Sequence, residues 1–418
     1  MCCKSVLCGV GILAALLSPL PAIGLPADAA VERALDRDAG LRALSERSRS
    51  LEESAIADRA LPDPQLTLGA QGLPINDPLS SDMMTMYSIG VRQRFPAGAS
   101  RRLSGERGTV LAKATGIDVR ARRLEVALQT RLAWLAWAGA SETAARVEAM
   151  FEQVEDLVEL TERRFAAGTG RAQDESQAHL ERILMERRRI DAATAIDEAF
   201  ARLQRWTGPL ETEPSAPGLP AWSRPAVSGT DLRARLADHP ELAAAQARVE
   251  AGELGAEIAR QAYRPEWMID AGYGHQRGSD PVGGRMSDKL FVMASVSLPL
   301  FTANRQDRRV DAALAERDAE QAQAQYLLQR LSGALEEQHA IRQRLEQRRR
   351  LIADDILPRA QQTLEATEAA YQSDRASFDE LIRARLQLFE LEIDLINTRE
   401  RLLGAIARIA ALTNEDPS

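Results

Sequence analysis

Two acidic pairs stand at matching places in the chain, Asp174-Glu175 and Asp379-Glu380, each just after a sharp turn between two predicted helices. Carboxylates attract cations, and several copies brought close together would repel one another unless they are paired. Acidic residues are also favoured at any helix N-terminus, because the helix dipole is positive there. Arg383 follows Glu380 by one turn, where it either weakens a negative ring or forms an ion pair with another helix. The sequence leaves these interpretations open.

Residue sets that support enzymatic chemistry are not found in the sequence. The four histidines are scattered without ligand spacing, and there is no Ser/His/Asp or Cys/His arrangement, phosphate-binding loop or zinc-binding spacing. All three cysteines, Cys2, Cys3 and Cys8, lie close to the N-terminus. We therefore predict no enzyme activity, no cofactor and no metal site.

Residues 1–24 have the pattern of a secretory signal peptide. Lys4 precedes an apolar run from Val6 to Leu17 that is too short to span a bilayer, and small residues follow it. After this segment, no stretch approaches the ~20 apolar residues of a transmembrane helix. The sequence predicts an exported protein that crosses a membrane, if it does so, by strands.

The composition favours long helices over a thick aromatic core. Aromatic residues make up only 4% of the chain and charged residues 27%, as is typical of helices that pack through narrow seams. The net charge of −8 speaks against a nucleic-acid partner.

The sequence is internally duplicated. Arg59 to Leu66 aligns without a gap on Arg260 to Trp267, at an offset of 201, and Arg202 to Gly208 aligns on Arg408 to Asn414, at an offset of 206. Two copies of one unit differ in this way when only their loops change length. We therefore divide the mature chain into a first repeat at 25–208, a Pro-rich connector at 209–230 and a second repeat at 231–414.

Each repeat begins with a helix and two amphipathic strands. The first helix covers about 28–60 and ends before Pro62, because proline lacks the backbone N–H. Alternating apolar and polar residues predict strands at 65–72 and 85–95, and again at about 267–273 and 290–298. The apolar face, which we predict contacts lipid, carries Leu66, Leu68, Tyr87, Ile89, Val91, Trp267, Ile269, Val292 and Val296.

A very long helix follows each pair of strands. Ser100 to Ala166 contains no proline and predicts a helix of about 67 residues, or about 100 Å. Its counterpart runs from about Asn304 to Gln372, where Pro358 predicts a kink or break in this copy only.

A sharp turn and a shorter helix end each repeat. The turns are predicted at 167–170 and 373–376. In the second repeat, a heptad from Leu381 to Leu412 indicates coiled-coil packing of the shorter helix. In the first repeat, the predicted seam of the shorter helix is less regular and contains Ile190, Ala193, Ile196, Phe200 and Leu203.

Four amphipathic strands cannot close a barrel, because even a filled barrel needs about eight. Strands in lipid must have all their backbone groups paired, so several chains must share one barrel. Three chains with four strands each give a 12-stranded barrel. The predicted fold class is mainly α with a small β part: a long α-helical coiled-coil barrel plus a transmembrane β-barrel. The alternative is a soluble periplasmic coiled-coil scaffold or adaptor, which leaves the apolar strand faces uncovered.

These features resemble the TolC-type outer-membrane efflux channels over nearly the whole mature chain. The resemblance rests on the duplicated unit and on three motifs: Leu61 to Leu66 before the first strand, Gln93 to Pro96 after the second and Leu298 to Phe301 after the fourth. The first two motifs resemble the heavy-metal-efflux branch in particular. The resemblance implies a homotrimer in the outer membrane of a Gram-negative bacterium, in contact with its lipid and extending into the periplasm.

The resemblance also implies a function and its residues. Family members are passive exit ducts of tripartite pumps, working with a periplasmic adaptor (a membrane fusion protein) and an inner-membrane transporter of the resistance–nodulation–division type. Heavy-metal cations are the implied cargo; a duct for drugs or secreted proteins is the alternative. The family's helical turns dock the adaptor, and here they contain Gly168, Thr169, Gly170, Asp374 and Arg375. Asp174 and Glu380 stand where the family has an acidic constriction, and the periplasmic gate candidates are thus Asp174, Glu175, Asp379, Glu380 and Arg383.

Overall fold

A computed structural model of the chain describes residues 24–73, 75, 85–210, 218–222, 236–276 and 286–415. The predicted signal peptide, apart from Gly24, and most of the Pro-rich connector lie outside these residues. Both therefore stay predictions.

The first repeat has the predicted order of elements. They are α1 (Ala27–Arg37), α2 (Ala39–Arg59), β1 (Gln65–Gln71), β2 (Met86–Phe95), α3 (Ser100–Ala166) and α4 (Ala172–Thr207). α3 is one continuous helix of 67 residues, as the absence of proline predicts.

The prediction of a single helix at 28–60 is wrong, because the helix divides at Asp38 into α1 and α2. The Asp38 carboxylate accepts a 2.7 Å hydrogen bond from the Leu41 N–H and so caps the N-terminus of α2. The same carboxylate pairs with Arg122 of α3 at 2.8 Å. The position of the break therefore depends on a contact with a helix that is distant in the sequence. Hydrophobic periodicity does not predict such a contact.

The second repeat has the same order with one interruption. Its elements are α5 (Pro240–Gln261), β3 (Glu266–Gln276), β4 (Lys289–Ser297), α6 (Gln306–Arg350), a π-helical segment (Leu351–Ile356), α7 (Leu357–Gln372) and α8 (Phe378–Leu412). The kink or break predicted at Pro358 takes the form of a π-helical segment, which ends two residues before this proline. Proline cannot donate the hydrogen bond of a regular helix, and the wider π turn accommodates its ring.

The four strands form one antiparallel sheet in the order β1-β2-β3-β4. β2 pairs with β3 from Met86 opposite Gln276 to Phe95 opposite Trp267, so the sheet joins the two repeats. Within the described residues, the two edge strands, β1 and β4, have no further partner strand.

α3 is the central helix of the chain. It packs against α2 and α5 on the side of the sheet, and against α4 and α8 on the side of the turns. Near the turns, its residues Val147, Phe151 and Val154 are buried together with Phe378 and Phe389 of α8. Among the described residues, no helix is both long and apolar enough to cross a bilayer.

The seam predicted for α4 is only partly correct. Leu203 is fully buried, but Ile190 is 60% exposed and Ala193 is also exposed. Met185, Ala192 and Ala199 are buried instead, at a spacing of seven residues. The face of α4 that packs within the chain is thus rotated from the predicted one, and an apolar stripe stays on its free side.

Candidate functional site

The first helical turn joins α3 to α4 and depends on two glycines. Gly168 has a φ of +71°, a conformation that residues with a side chain rarely adopt. The Arg164 carbonyl accepts hydrogen bonds from the N–H groups of Thr169, at 3.0 Å, and Gly170, at 2.9 Å. A Cβ atom on Gly170 would lie 2.7 Å from Phe165 N, so the tight return of the chain requires glycine there.

The second turn joins α7 to α8 and has the same hydrogen bonds. The Ala370 carbonyl accepts from the N–H groups of Arg375, at 2.8 Å, and Ala376, at 3.3 Å. The positive φ, +57°, falls on Asp374, a residue type that tolerates the left-handed region. This turn is formed without glycine.

Glu380 belongs to the capping box that starts α8. Its carboxylate accepts hydrogen bonds from the N–H of Ser377, at 2.7 Å, and from the Ser377 hydroxyl, while the Glu380 N–H donates to that hydroxyl at 3.2 Å. These hydrogen bonds, from the Ser377 backbone first and its side chain second, hold the pKa of Glu380 below its usual range. In the single chain, Glu380 thus serves the start of the helix, one of the two interpretations of the sequence.

The other gate candidates lie in the first turn of α4 and the first two turns of α8. Asp379 pairs with Arg383 on its own helix and accepts a 3.2 Å hydrogen bond from the Gln177 amide of α4. Within the described chain, the Arg383 ion pair is therefore formed inside α8 and not between helices. Asp174 and Glu175 are half-buried in the first turn of α4.

Arg164 connects the two turns, and sequence reasoning missed it. Its guanidinium lies over the ring of Tyr371, 4.8 Å from the centroid, and 3.6 Å from the Asp374 carboxylate. Tyr371 is buried, with its ring 6.2 Å from that of Phe378 in an edge-to-face arrangement. No sequence pattern links residues so far apart, since the contact exists only once the repeats pack together.

The turns enclose a groove of about 390 Å³. Five of the candidate residues contribute to its lining: Thr169, Gly170, Asp174, Asp374 and Arg375. The other five do not: Gly168, Glu175, Asp379, Glu380 and Arg383. The groove contains side chains of both charges and an aromatic wall.

Further contacts between the repeats follow the helices away from the turns. Arg188 of α4 lies over the Phe389 ring, 5.3 Å from its centroid, and 3.3 Å from Glu390. Arg146 of α3 pairs with Glu392. In these pairs the first repeat supplies the arginine and the second the acid. Because the partners are partly exposed, each pair contributes at most about 1 kcal/mol to stability.

The sheet exposes one apolar face. Arg94 apart, the exposed residues of β2 and β3 are apolar, and the polar residues between them are half-buried, the reverse of a sheet in water. All nine predicted lipid-facing side chains are 39–78% exposed and lie on one face: Leu66, Leu68, Tyr87, Ile89, Val91, Trp267, Ile269, Val292 and Val296.

The part of the chain that the structure describes contains no candidate metal site. No three His, Cys, Asp or Glu side chains are grouped there so that they could hold an ion.

The chain has the fold of outer-membrane channel subunits of known structure. The chain superimposes on CusC with a TM-score of 0.79 at 16% identity, covering 94% of this chain and 93% of that one. For VceC from Vibrio cholerae the TM-score is 0.76 at 19% identity, with coverage of 94% and 97%. For the open state of MtrE from Neisseria gonorrhoeae it is 0.76 at 17% identity, with coverage of 93% and 89%.

The sequence comparison agrees with the fold over the second repeat. Residues 232–415 match the outer membrane efflux protein family. No curated protein sequence matches the chain significantly.

Proposed function

We propose that three copies of this chain form a passive exit duct in the outer membrane of a Gram-negative bacterium, as the outer component of a tripartite efflux pump. The duct catalyses no reaction. The observation that carries the proposal is the sheet, with its exposed apolar face and its two edge strands, which have no further partner strand in the described part of the chain.

The sheet requires neighbouring chains. In lipid, each unpaired N–H or C=O group of an edge strand costs several kcal/mol, so β1 and β4 must pair with strands outside the chain. If β4 of one chain pairs with β1 of the next, three chains with four strands each close a 12-stranded barrel that leaves a lumen.

The helices support the same assembly. Leu180, Ile183 and Ile190 lie on the free side of α4 and are 54–60% exposed in the single chain. Their spacing places them on one helix face, which a neighbouring chain would cover in a continuous helical tube.

The groove between the turns is the proposed docking site for a periplasmic adaptor, which connects the duct to an inner-membrane transporter of the resistance–nodulation–division type. Gly168, Thr169, Asp374 and Arg375 are exposed at the end of the helices, where an adaptor can reach them. The Arg164 contact with Tyr371 and Asp374 holds the two turns together. Its release, together with changes at the acidic residues after the turns, is the proposed gating step.

Heavy-metal cations are the proposed cargo. The support is the similarity of Leu61 to Leu66 and Gln93 to Pro96 to the metal branch of the TolC-type channels. A deletion strain would test this proposal: loss of the gene should sensitise cells to metal salts, and its return should restore resistance. Sensitivity to drugs alone would contradict the metal cargo and leave the duct intact.

The assembly is tested on the mature protein extracted from membranes. We expect it in the outer-membrane fraction, with the mass of three chains in detergent and with stable conductance in a planar bilayer. Recovery as a monomer in detergent-free buffer would contradict the proposal and favour a periplasmic scaffold.

A further inference from the structure

The polar face of the sheet carries two ion pairs near its junction with the helices. Arg92 of β2 donates from Nε, at 3.0 Å, and from a terminal nitrogen, at 2.7 Å, to the Asp270 carboxylate of β3 directly opposite. Arg94, two residues further along the same face, pairs with Glu266. Each cation therefore has an acid of the neighbouring strand beside it.

These four residues lie where the strands meet the helices. β2 ends at Phe95 and α3 begins at Ser100, while α5 ends at Gln261 and β3 begins at Glu266. In a closed barrel this is the level at which the helical tube opens into the strands.

The face that carries the pairs is concave. It bounds a cavity of about 420 Å³. The polar residues of its lining are Asp63, Gln65, Arg92, Arg94, Glu266, Ser295 and Ser297. The arginine–aspartate pair lies close to the sheet because Gly90 has no side chain: a Cβ atom there would be 3.2 Å from Asp270 Oδ1. A concave polar face and an exposed apolar face fit a sheet that curves around a lumen.

We propose that the Arg92–Asp270 and Arg94–Glu266 pairs form a charge-compensated ring in the lumen, which keeps the two arginines of each chain from making the junction anion-selective. The inference rests on the proposed trimeric duct. Without the acids, two arginines from each chain would face the passage and repel cations, since rings of like charge set the selectivity of a pore. With the acids in place, positive and negative charges cancel within hydrogen-bond distance. Cations of the cargo can therefore pass the junction although each chain places two arginines there.

The test is the reversal potential of purified trimers in a planar bilayer under a KCl gradient. Glu266→Gln, which leaves Arg94 without its partner, should shift the reversal potential towards anion selectivity. Arg94→Gln should shift it in the opposite direction. Exchange of the two residues, Arg94→Glu with Glu266→Arg, keeps both charges and should return the value to that of the unmodified protein.

The Arg94–Glu266 pair is the better first target because both side chains are partly exposed, at 58% and 28%, so the variants can fold. The mass of each variant, measured in detergent, will show whether it is still trimeric. If Asp270→Asn assembles, it should shift the potential in the same direction as Glu266→Gln.

Two outcomes separate this inference from the proposed function. Conducting trimers whose reversal potential is the same in all variants would overturn the ring, and the pairs would then serve strand pairing alone. An unmodified protein that does not assemble or conduct would overturn the duct itself.

Discussion

The two helical turns have the same backbone hydrogen bonds but different residues. Arg164 and Ala370 stand at equivalent positions, and each carbonyl accepts from two N–H groups of its turn. The positive φ falls on Gly168 in one turn and on Asp374 in the other. The hydrogen-bond pattern at the helix end, rather than one obligatory residue type, therefore defines this turn.

The side chains around the turns differ more than the backbone. Phe165 and Tyr371 are equivalent, yet Phe165 is 46% exposed and Tyr371 only 6%. Arg164 reaches across to cover Tyr371, whereas its counterpart, Ala370, has no side chain that could cover Phe165. The duplication has kept the path of the chain and made the contacts between the repeats one-sided.

The largest difference between the turns is expected at Gly170 and its counterpart Ala376. A Cβ atom on Gly170 would meet backbone atoms at 2.7 and 2.9 Å, while the longer hydrogen bond of Ala376, 3.3 Å, leaves room for its methyl group. We expect Gly170→Ala to destabilise the first turn by about 2 kcal/mol. Ala376→Gly should cost the second turn less than ~1 kcal/mol, through added backbone freedom. Amide hydrogen exchange of both turns measures the two effects, and equal effects would contradict the comparison.

A smaller difference is expected at the starts of the helices after the turns. Ser377 caps α8, whereas Arg171, at the equivalent position before α4, makes no side-chain cap. We expect Ser377→Ala to cost about 1 kcal/mol of local stability. Arg171→Ser should slow amide exchange in the first turn of α4, since it adds the missing acceptor. Unchanged exchange in both variants would show that the caps do not govern these helix ends.

The contact between the turns is weaker still and belongs to the proposed gating step. Arg164→Ala removes the stack on Tyr371 and the pair with Asp374, at a cost below ~1 kcal/mol because Asp374 is largely exposed. If this contact holds the turns together, the variant should raise single-channel conductance. Arg163→Ala is the matched control, because Arg163 pairs only with Glu159 of its own helix in the described chain. An unchanged conductance in Arg164→Ala would show that this contact takes no part in gating.

The smallest effect at neutral pH concerns two other equivalent caps, Asp38 of α2 and His239 of α5. His239 is buried and accepts a hydrogen bond from the Glu241 N–H, and it lies near the Arg330–Glu241 pair. Burial, more than the opposing attraction of Glu241, lowers the pKa of His239 below its usual 6.5. The unfolded chain thus binds more protons below pH 6.5, and stability falls as the pH drops through this range.

The pKa of the Asp38 carboxylate is also lowered, mainly by its hydrogen bond with Arg122. Its usual pKa, 3.8, is already far below that of histidine. Asp38 therefore loses its contribution to stability only at much lower pH than His239. Denaturant midpoints measured against pH should decline below about 6.5 in the unmodified protein, and His239→Asn should remove this decline while it keeps the cap. If the denaturant midpoint still declines in His239→Asn, another group causes the decline. Asp38→Asn, the matched variant, should leave this pH range unchanged.

Local patterns in the sequence predicted most elements well. The bounds of α3 agree with the absence of proline from Ser100 to Ala166, and the interruption near Pro358 follows from the missing N–H. The strand faces followed from alternation, since neighbouring side chains of a strand point to opposite sides. Features that depend on a few adjacent residues could therefore be found from the sequence.

The errors and omissions concern residues that are far apart in the chain. The break at Asp38 depends on Arg122, and the buried face of α4 depends on how the helix is rotated against α3. The adaptor-docking and gating residues remain proposals, but the structure showed which of them share a groove.

The sequence by itself determined the duplication, the order of helices and strands and the positions of the turns, because periodicity, proline and glycine act over a few residues. Only the tertiary structure decided that Arg164 covers Tyr371 and that Arg92 and Arg94 each have an acid of the neighbouring strand beside them. These partners are brought together by the register of the sheet and the packing of long helices, which depend on the whole chain.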